Sequence, residues 1–364
     1  MSRTSLLLNA SDLSDMVARI GRDAMMDELI ERLGRAIGGY DLSASQVPAR
    51  SGVAYEKPEW GLLEWMPAHF QGEGTTVKLV GYHPGNPVLR GMPSVISTIC
   101  VFDTSSGHLL GIVDGTFLTA LRTGAASAVA SRILAKAESR VLGVIGCGAQ
   151  SVTQIQALSR GFQFERVLAY DVDLASARSL GERIGFTGIP VDVYEREGLG
   201  EMLAACDILC TCTSCAPGEG PVFEEFENRE HLHINAVGSD FHDKFEVPVS
   251  MLRRAVVCAD FPEQAMWEGE SQQLEASEVG PSLRTLVQES GDHDGLRDQL
   301  TVFDSTGWAL EDHVTAMMAM EYAREMGLGR EAAFECVSPD PKDPYSFLGA
   351  ARETVGKTGV SAVS

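Results

Sequence analysis

The chain has 364 residues, 44% of them hydrophobic and 22% charged, with 29 basic against 51 acidic residues and a net charge of −22. This length suits two domains with ample core, and the acidic balance speaks against nucleic acid or an anionic membrane as partner. The only apolar run near the N-terminus, Leu6-Leu7-Leu8, is too short for a signal-peptide core, and no stretch approaches the ~18 apolar residues of a membrane span, so a cytoplasmic protein is expected.

Residues 4–8 predict a strand. Asn9 or Ser11 then caps a helix through Leu13, Met16, Val17 and Ile20, and a second helix over 22–37 carries Met25, Met26, Leu29, Ile30 and Leu33 on one face before stopping at Gly38-Gly39. Residues 50–110 predict an antiparallel, mostly β region with strands over 61–66, 75–82, 93–103 and 109–114. Turns separate them at His83-Pro84-Gly85-Asn86-Pro87 and Ser105-Ser106-Gly107. A long alanine-rich helix follows over 116–136, and its small residues permit close packing against another element.

From Val141 the pattern changes to alternating strands and helices. The apolar run Val141 to Ile145 predicts a buried parallel strand, Gly146-Cys147-Gly148 a tight turn, Gln150 to Arg160 a helix, and Arg166 to Tyr170 a second strand that ends on Asp171. Gly146 suits the turn and Gly148 lets a pyrophosphate approach the backbone at the helix N-terminus. Asp171 stands near the ~20 positions expected for the carboxylate on an adenosine ribose, which favours NAD over NADP because it would repel a 2′-phosphate. Ser151 occupies the third glycine position and is small enough for close helix–strand packing. Further strands are expected over 189–194, 207–213, 232–237, 255–259 and 301–303, with helices over 173–184 and 197–205, which makes a doubly wound sheet. A final helix over 308–326 leaves this sheet for the first region. Residues 286–299 predict a solvated excursion, and the small, polar residues 354–364 predict disorder.

Several polar side chains stand out from their surroundings. Lys78 lies in a strand with apolar neighbours and is read either as a surface lysine or as an anion partner. Arg122 starts an alanine-rich stretch and is either exposed or turned to an anion in a cleft. Glu64, between Leu63 and Trp65, is of a kind usually exposed. Asp240 follows a strand and a glycine at the carboxyl edge of the sheet, where ligands bind. His231 and His233 could bind a metal, but no third ligand is evident. Cys206, Cys210, Cys212 and Cys215 read as small apolar residues of a strand and its flanks, because no second pair completes a four-ligand set.

Seven motifs together resemble the ornithine cyclodeaminase/μ-crystallin family over about 45–325: LLEWMP (62–67), VKLVGYHPGNP (77–87), TALRTGAASAVAS (119–131), GVIGCGAQS (143–151), HLHINAVGSD (231–240), EGESQQL (268–274) and TVFDSTGWALED (301–312). Their form is most similar to the lysine cyclodeaminases, then the ornithine enzymes. The resemblance implies an α/β chain: a Rossmann-type doubly wound NAD-binding domain over 131–314, and an α+β substrate-binding and dimerisation domain over 1–130, completed by about 315–364. It implies a small amino-acid substrate and a homodimer. Arg50, Lys78 and Arg122 would hold the substrate carboxylate. Glu64 would place the substrate amines, and Asp240 would deprotonate an amine. Gly146, Gly148, Ala149 and Gln150 would cradle the pyrophosphate, with Asp171 on the ribose. Thr123, Val237, Gly238, Val302, Asp304 and Ser305 would complete the cofactor site. Met66, Tyr82 and Phe241 are candidates for the pocket wall. The implied reaction takes L-lysine to L-pipecolate, or L-ornithine to L-proline, with loss of ammonia. The alternatives are an amino-acid dehydrogenase or imine reductase on the same scaffold, and a non-enzymatic binding protein.

Overall fold

The computed structural model describes residues 4–229, 231–289 and 293–348. Two sheets organise it. The first is built from β1 (Ser5–Leu8), β2 (Ser45–Gln46), β3 (Ser51–Tyr55), β4 (Gly61–Phe70), β5 (Gly74–Tyr82), β6 (Val95–Phe102) and β7 (Leu109–Asp114). The second holds β8 (Val141–Ile145), β9 (Arg166–Tyr170), β10 (Val191–Val193), β11 (Ile208–Thr211), β12 (Leu232–Ala236), β13 (Val256–Ala259) and β14 (Leu300–Asp304). A last strand, β15 (Arg330–Ala332), returns to the first sheet and pairs antiparallel with β1.

The first sheet has the order β15-β1-β7-β6-β5-β4-β2, with β3 also on β4. Period-2 alternation decides which side chains face in. In β4 these are Leu62, Glu64 and Met66; in β5 they are Thr76, Lys78 and Val80. The register sets Glu64 opposite Val80 and Met66 opposite Lys78, so a carboxylate and an ammonium enter the interior on adjacent strands. The helices Arg22–Gly38, Gly115–Leu134 and Ala309–Met326 cover that face and close its core.

The second sheet runs β10-β9-β8-β11-β12-β14-β13, and every pairing is parallel. β8, β11, β12 and β14 are buried on both faces, which is why they read as continuous apolar runs. The order reverses between β8 and β11, and the loops leaving these two strands flank a crevice. Packing across the sheets is tight. A Cβ on Gly124 of the alanine-rich helix would come within 2.4 Å of the Thr153 carbonyl on helix Ala149–Ser159.

Most predicted elements are present, with two differences. The His83–Pro87 turn passes directly into a short helix, Asn86–Arg90, because Pro87 fits the first turn, where its missing N–H costs nothing. The 286–299 stretch is not wholly a solvated excursion: helix Leu283–Gln288 buries Leu286, and residues 290–292 lie outside the described residues, as do 349–364. Among the described residues no helix is long and apolar enough to cross a membrane.

Candidate functional site

A cleft of about 2160 Å³ lies between the carboxyl edge of the parallel sheet and the inner face of the first sheet. Its nucleotide end begins at Gly146, whose φ of +89° suits glycine. A Cβ there would come within 2.7 Å of the Cys212 carbonyl, where the chain leaves β11. Gly148 is glycine for another reason. A Cβ on it would meet nothing within 4 Å, so the open space belongs to the cleft. The helix Ala149–Ser159 that follows has no side-chain cap, which leaves its first N–H groups and positive dipole end for an anion. Ser151 turns its hydroxyl back onto the Gly148 carbonyl at 2.6 Å.

Asp171 closes the loop from the side. Its Oδ2 accepts from the Cys147 N–H at 2.6 Å and its Oδ1 from the Asp173 N–H at 2.8 Å, with lone pairs to spare for hydroxyl groups. Arg183 donates to the carbonyls of Cys147 and Gly148 at 2.7 and 3.2 Å and so fixes the turn from behind. Thr123, Ala149, Gln150, Val237 and Gly238 also line the cleft. Ser305 lines it too, and its buried hydroxyl has no protein partner. An uncapped helix end, an open glycine, a rim carboxylate and an unpartnered hydroxyl fit a dinucleotide.

Two expected cofactor residues are placed elsewhere. Val302 is sealed in the core of the parallel sheet. Asp304 is also fully buried and off the cleft wall; its carboxylate accepts from the N–H groups of Glu270 and Ser271 at 2.8 and 2.7 Å. Burial pushes Asp304 up to about 7. Both sit within a central strand that has no free face, and only Ser305, one step past its end, reaches the cleft. Met66 is also placed away from the cleft. It shares the inward face of Leu62 and Glu64 but is 1% exposed within the hydrophobic core, and it does not line the cleft. Tyr82 and Phe241 do.

At the other end three cations converge. Lys78 is 1% exposed, so the surface reading fails, and its Nζ lies 2.7 Å from Asp312 Oδ2. Burial, with Arg122 beside it, pulls Lys78 down to about 8 despite Asp312. Arg122 donates to Asp312 Oδ1 at 3.1 Å and to Glu311 Oε2 at 2.8 Å. Arg50 bonds the Glu268 carboxylate, donates to the Thr306 carbonyl at 2.7 Å, and stands 3.6 Å from Glu64. Arg50, Glu64, Lys78 and Arg122 all line the cleft with Asp240. Burial and the nearby Asp240 raise Glu64, against the pull of Arg50.

The sequence reading missed the anions that hold these cations. Glu311 and Asp312 begin helix Ala309–Met326, and Glu268 ends helix Pro262–Glu268. Burial pushes Glu311 up to about 8 and Glu268 up to about 7. All three stand within motifs quoted above, but nothing local in the sequence announces partners some 190 or more positions away. Also missed was Lys244, 2.7 Å from Asp240. A further buried carboxylate, Glu246, accepts from the N–H groups of Thr213 and Gly238 at 2.7 and 2.8 Å. It ties together the chain ends of β11 and β12 beside the glycine loop.

His233, Cys206 and Cys210 are buried in the core, whereas Cys212 and Cys215 are part-buried along the cleft. His233 is buried, with its ring nitrogens 2.9 Å from Thr301 Oγ1 and 3.3 Å from Asn235 Oδ1, and burial pulls it down to about 3. Cys206, Cys210, Cys212 and Cys215 are free thiols. Among the described residues no cluster of three or more such side chains could hold a metal ion.

Residues 11–327 match the Ornithine cyclodeaminase/mu-crystallin family. The chain belongs to this family. Among its relatives, the L-lysine cyclodeaminase of Streptomyces rapamycinicus is 39% identical over 343 residues, spanning 92% of this chain and 97% of that one. A solved lysine cyclodeaminase, described as the structural basis for recognition of L-lysine, L-ornithine and L-2,4-diaminobutyric acid, superimposes with a TM-score of 0.91. It is 42% identical and covers 95% of this chain and 100% of its own. Family members differ in chemistry: an archaeal alanine dehydrogenase dimer with bound NAD aligns with a TM-score of 0.79 at 31% identity, covering 92% and 100% of the two chains.

Proposed function

We propose that this chain is an NAD-dependent, cyclising ammonia-lyase of basic L-amino acids, with L-lysine to L-pipecolate as the favoured reaction and L-ornithine to L-proline next. The observation that carries this reading is the presence of two carboxylates, Glu64 and Asp240, in the same cleft as Arg50, Lys78 and Arg122. A substrate with one carboxylate and two amines matches that charge pattern, whereas a one-amine substrate has less need of the second acid. The identity to lysine cyclodeaminase supports it.

The glycine loop and helix N-terminus would hold the pyrophosphate, Asp171 the adenosine ribose, and Ser305 a polar group further along the cofactor. When bound there, NAD would supply reversible hydride acceptance at the substrate Cα, which allows a cyclisation with no net redox change. The side chains supply the rest. Lys78 and Arg122 grip the α-carboxylate through charge-assisted hydrogen bonds; Arg122 spends one donor each on Glu311 and Asp312 and keeps others for the ligand. Glu64 orients the amines. Asp240 takes a proton from the terminal ammonium, which must be neutral to attack the α carbon as ammonia leaves it. In this reading residues 1–130, with the chain from about 315 onward, form the substrate-binding and dimerisation domain, and 131–314 the NAD-binding domain.

The outer face of the first sheet supports a homodimer. Val53, Leu63, Trp65, Leu79 and Ile96 are exposed there, and the register sets Val53 against Leu63 and Trp65 against Leu79, giving one continuous apolar patch. Trp65→Glu combined with Leu79→Glu should turn a dimer into a monomer in sedimentation velocity. A wild-type monomer would remove the dimer from this reading.

The deciding assay supplies L-lysine or L-ornithine with catalytic NAD⁺ and follows ammonia and product mass. One ammonia per substrate consumed, without accumulating NADH, is the expected result, and the better substrate sets the ring size. Stoichiometric NADH would move the protein to the amino-acid dehydrogenases. Turnover only of a supplied imine with NADH would move it to the reductases.

A further inference from the structure

Asp240 does not stand alone at the cleft. It opens the turn Asp240-Phe241-His242-Asp243-Lys244, which doubles back so that Lys244 Nζ meets Asp240 Oδ1 at 2.7 Å. No helix sets this i, i+4 pair. Asp243 does so by adopting a φ of +62°, the only non-glycine residue in the left-handed region among those described. The turn is pinned by Gln272, whose side chain accepts from the Asp243 N–H at 2.8 Å and donates to the Lys244 carbonyl at 3.0 Å. Ser239 bonds the same carbonyl.

Lys244 is an unusual cation. It is 2% exposed, and its ammonium lies over the Tyr82 ring, 5.2 Å from the centroid. Burial alone would favour its neutral form, but Asp240 and Tyr82 outweigh burial and raise it above the ordinary lysine range. Lys244 therefore stays charged throughout the neutral pH range. The other charged groups around Asp240 are on different elements: Arg50 ahead of β3, Glu64 on β4 and Glu268 on helix Pro262–Glu268, while Glu246 faces Lys244 from beyond the turn. Arg50 is committed to Glu268 and Glu64. Lys244 is thus the cation that serves Asp240.

We propose that Lys244 is a positioning residue for the reaction: by tying down Asp240 Oδ1 it leaves Oδ2 as the one oxygen presented to the substrate ammonium. The side chain of Asp240 is 36% exposed while that of Lys244 is 3% exposed, so the carboxylate has one sealed side and one open side. This inference rests on the proposed function for its substrate but on the turn itself for its geometry.

The test compares Lys244→Met and Lys244→Arg with wild type in the full-length enzyme. Lys244→Met should lower kcat for the diamino acid by about 10²-fold, the low end of what a positioned proton carrier contributes, with KM and NAD affinity within about twofold. Lys244→Arg, which keeps the charge, should recover most of the loss. An equal fall in both variants, or a loss confined to NAD binding, would reduce Lys244 to a packing role and overturn the proposal. Crystal structures of wild type and Lys244→Met give an answer independent of turnover. The Asp240 carboxylate should rotate or split between orientations when the lysine is gone; an unmoved carboxylate overturns the proposal whatever the substrate. A wild-type enzyme inactive on L-lysine and L-ornithine would instead overturn the functional reading and leave that structural comparison to decide Lys244.

Discussion

Asp240→Asn lowers kcat by about 10³-fold and leaves NAD affinity unchanged, the expected outcome if this carboxylate carries the proton. The substitution is close to isosteric. An asparagine oxygen can still accept from Lys244 Nζ, and the turn is held independently by Gln272, so the fold of the cleft persists. The variant loses the capacity to take a proton from an ammonium. The two carboxylates that act on the same group of charges are poor substitutes: Glu268 is off the cleft wall and bonded to Arg50, and Glu64 stands beside the same guanidinium. Without a base the terminal amine stays charged and cannot attack. Ammonia release in the steady state and NAD titration by fluorescence quenching measure the two halves of the prediction. Activity within about threefold of wild type would remove Asp240 from the proton transfer that the reading assigns to it.

How much of this site the sequence could reveal depends on whether its parts are local. The nucleotide loop was legible because strand, glycines, helix N-terminus and Asp171 lie within one βαβ unit, where each residue type answers to a nearby constraint. The antiparallel strands were legible as strands, but their faces were not: Glu64 between two large apolar residues reads as exposed, whereas the structure buries Glu64 and Lys78 and turns Leu63 and Trp65 outward. The ion pairs were not legible. Lys78 and Arg122 reach across the molecule to Asp312 on the C-terminal helix, and Arg50 reaches to Glu268 on helix Pro262–Glu268, so their neutralisation exists only after elements distant in the chain have packed together. Val302 and Asp304 belong to the motif that ends on the cleft residue Ser305, but a position within a strand covered on both faces points into core, and a motif does not distinguish the strand interior from its open end. Met66 shares the inward face of β4 with the cleft residues Leu62 and Glu64 but stands one pleat further on, in the core. Asp304 instead acts one step removed, holding the Glu270-Ser271 turn.

The kcat/KM of the wild-type enzyme for its amino acid should fall as pH rises through about 8, and the source is Lys78. Burial and the adjacent Arg122 bring this lysine from its ordinary 10.5 to about 8, with Asp312 opposing them. Below that pH the ammonium is charged and its grip on the α-carboxylate is complete. Above it the proton is lost, and Arg122 alone faces both Asp312 and the incoming anion. A bound carboxylate favours the charged lysine, so the limb belongs to the free enzyme and appears in kcat/KM rather than kcat. The substrate ammonium groups also titrate on the alkaline side, and Lys78→Arg separates the two contributions. A guanidinium stays protonated throughout, so the limb near 8 should vanish and only the substrate's own titration remain, with activity about tenfold lower because the planar fork does not fit a point-charge site. Lys78→Met should cost about 10²–10³-fold in kcat/KM at neutral pH, since a buried carboxylate then keeps one cation instead of two. The measurement is kcat/KM between about pH 6 and pH 10 for wild type and Lys78→Arg. Alkaline limbs at the same pH in both proteins would mean that Lys78 is not the group whose charge the substrate carboxylate requires.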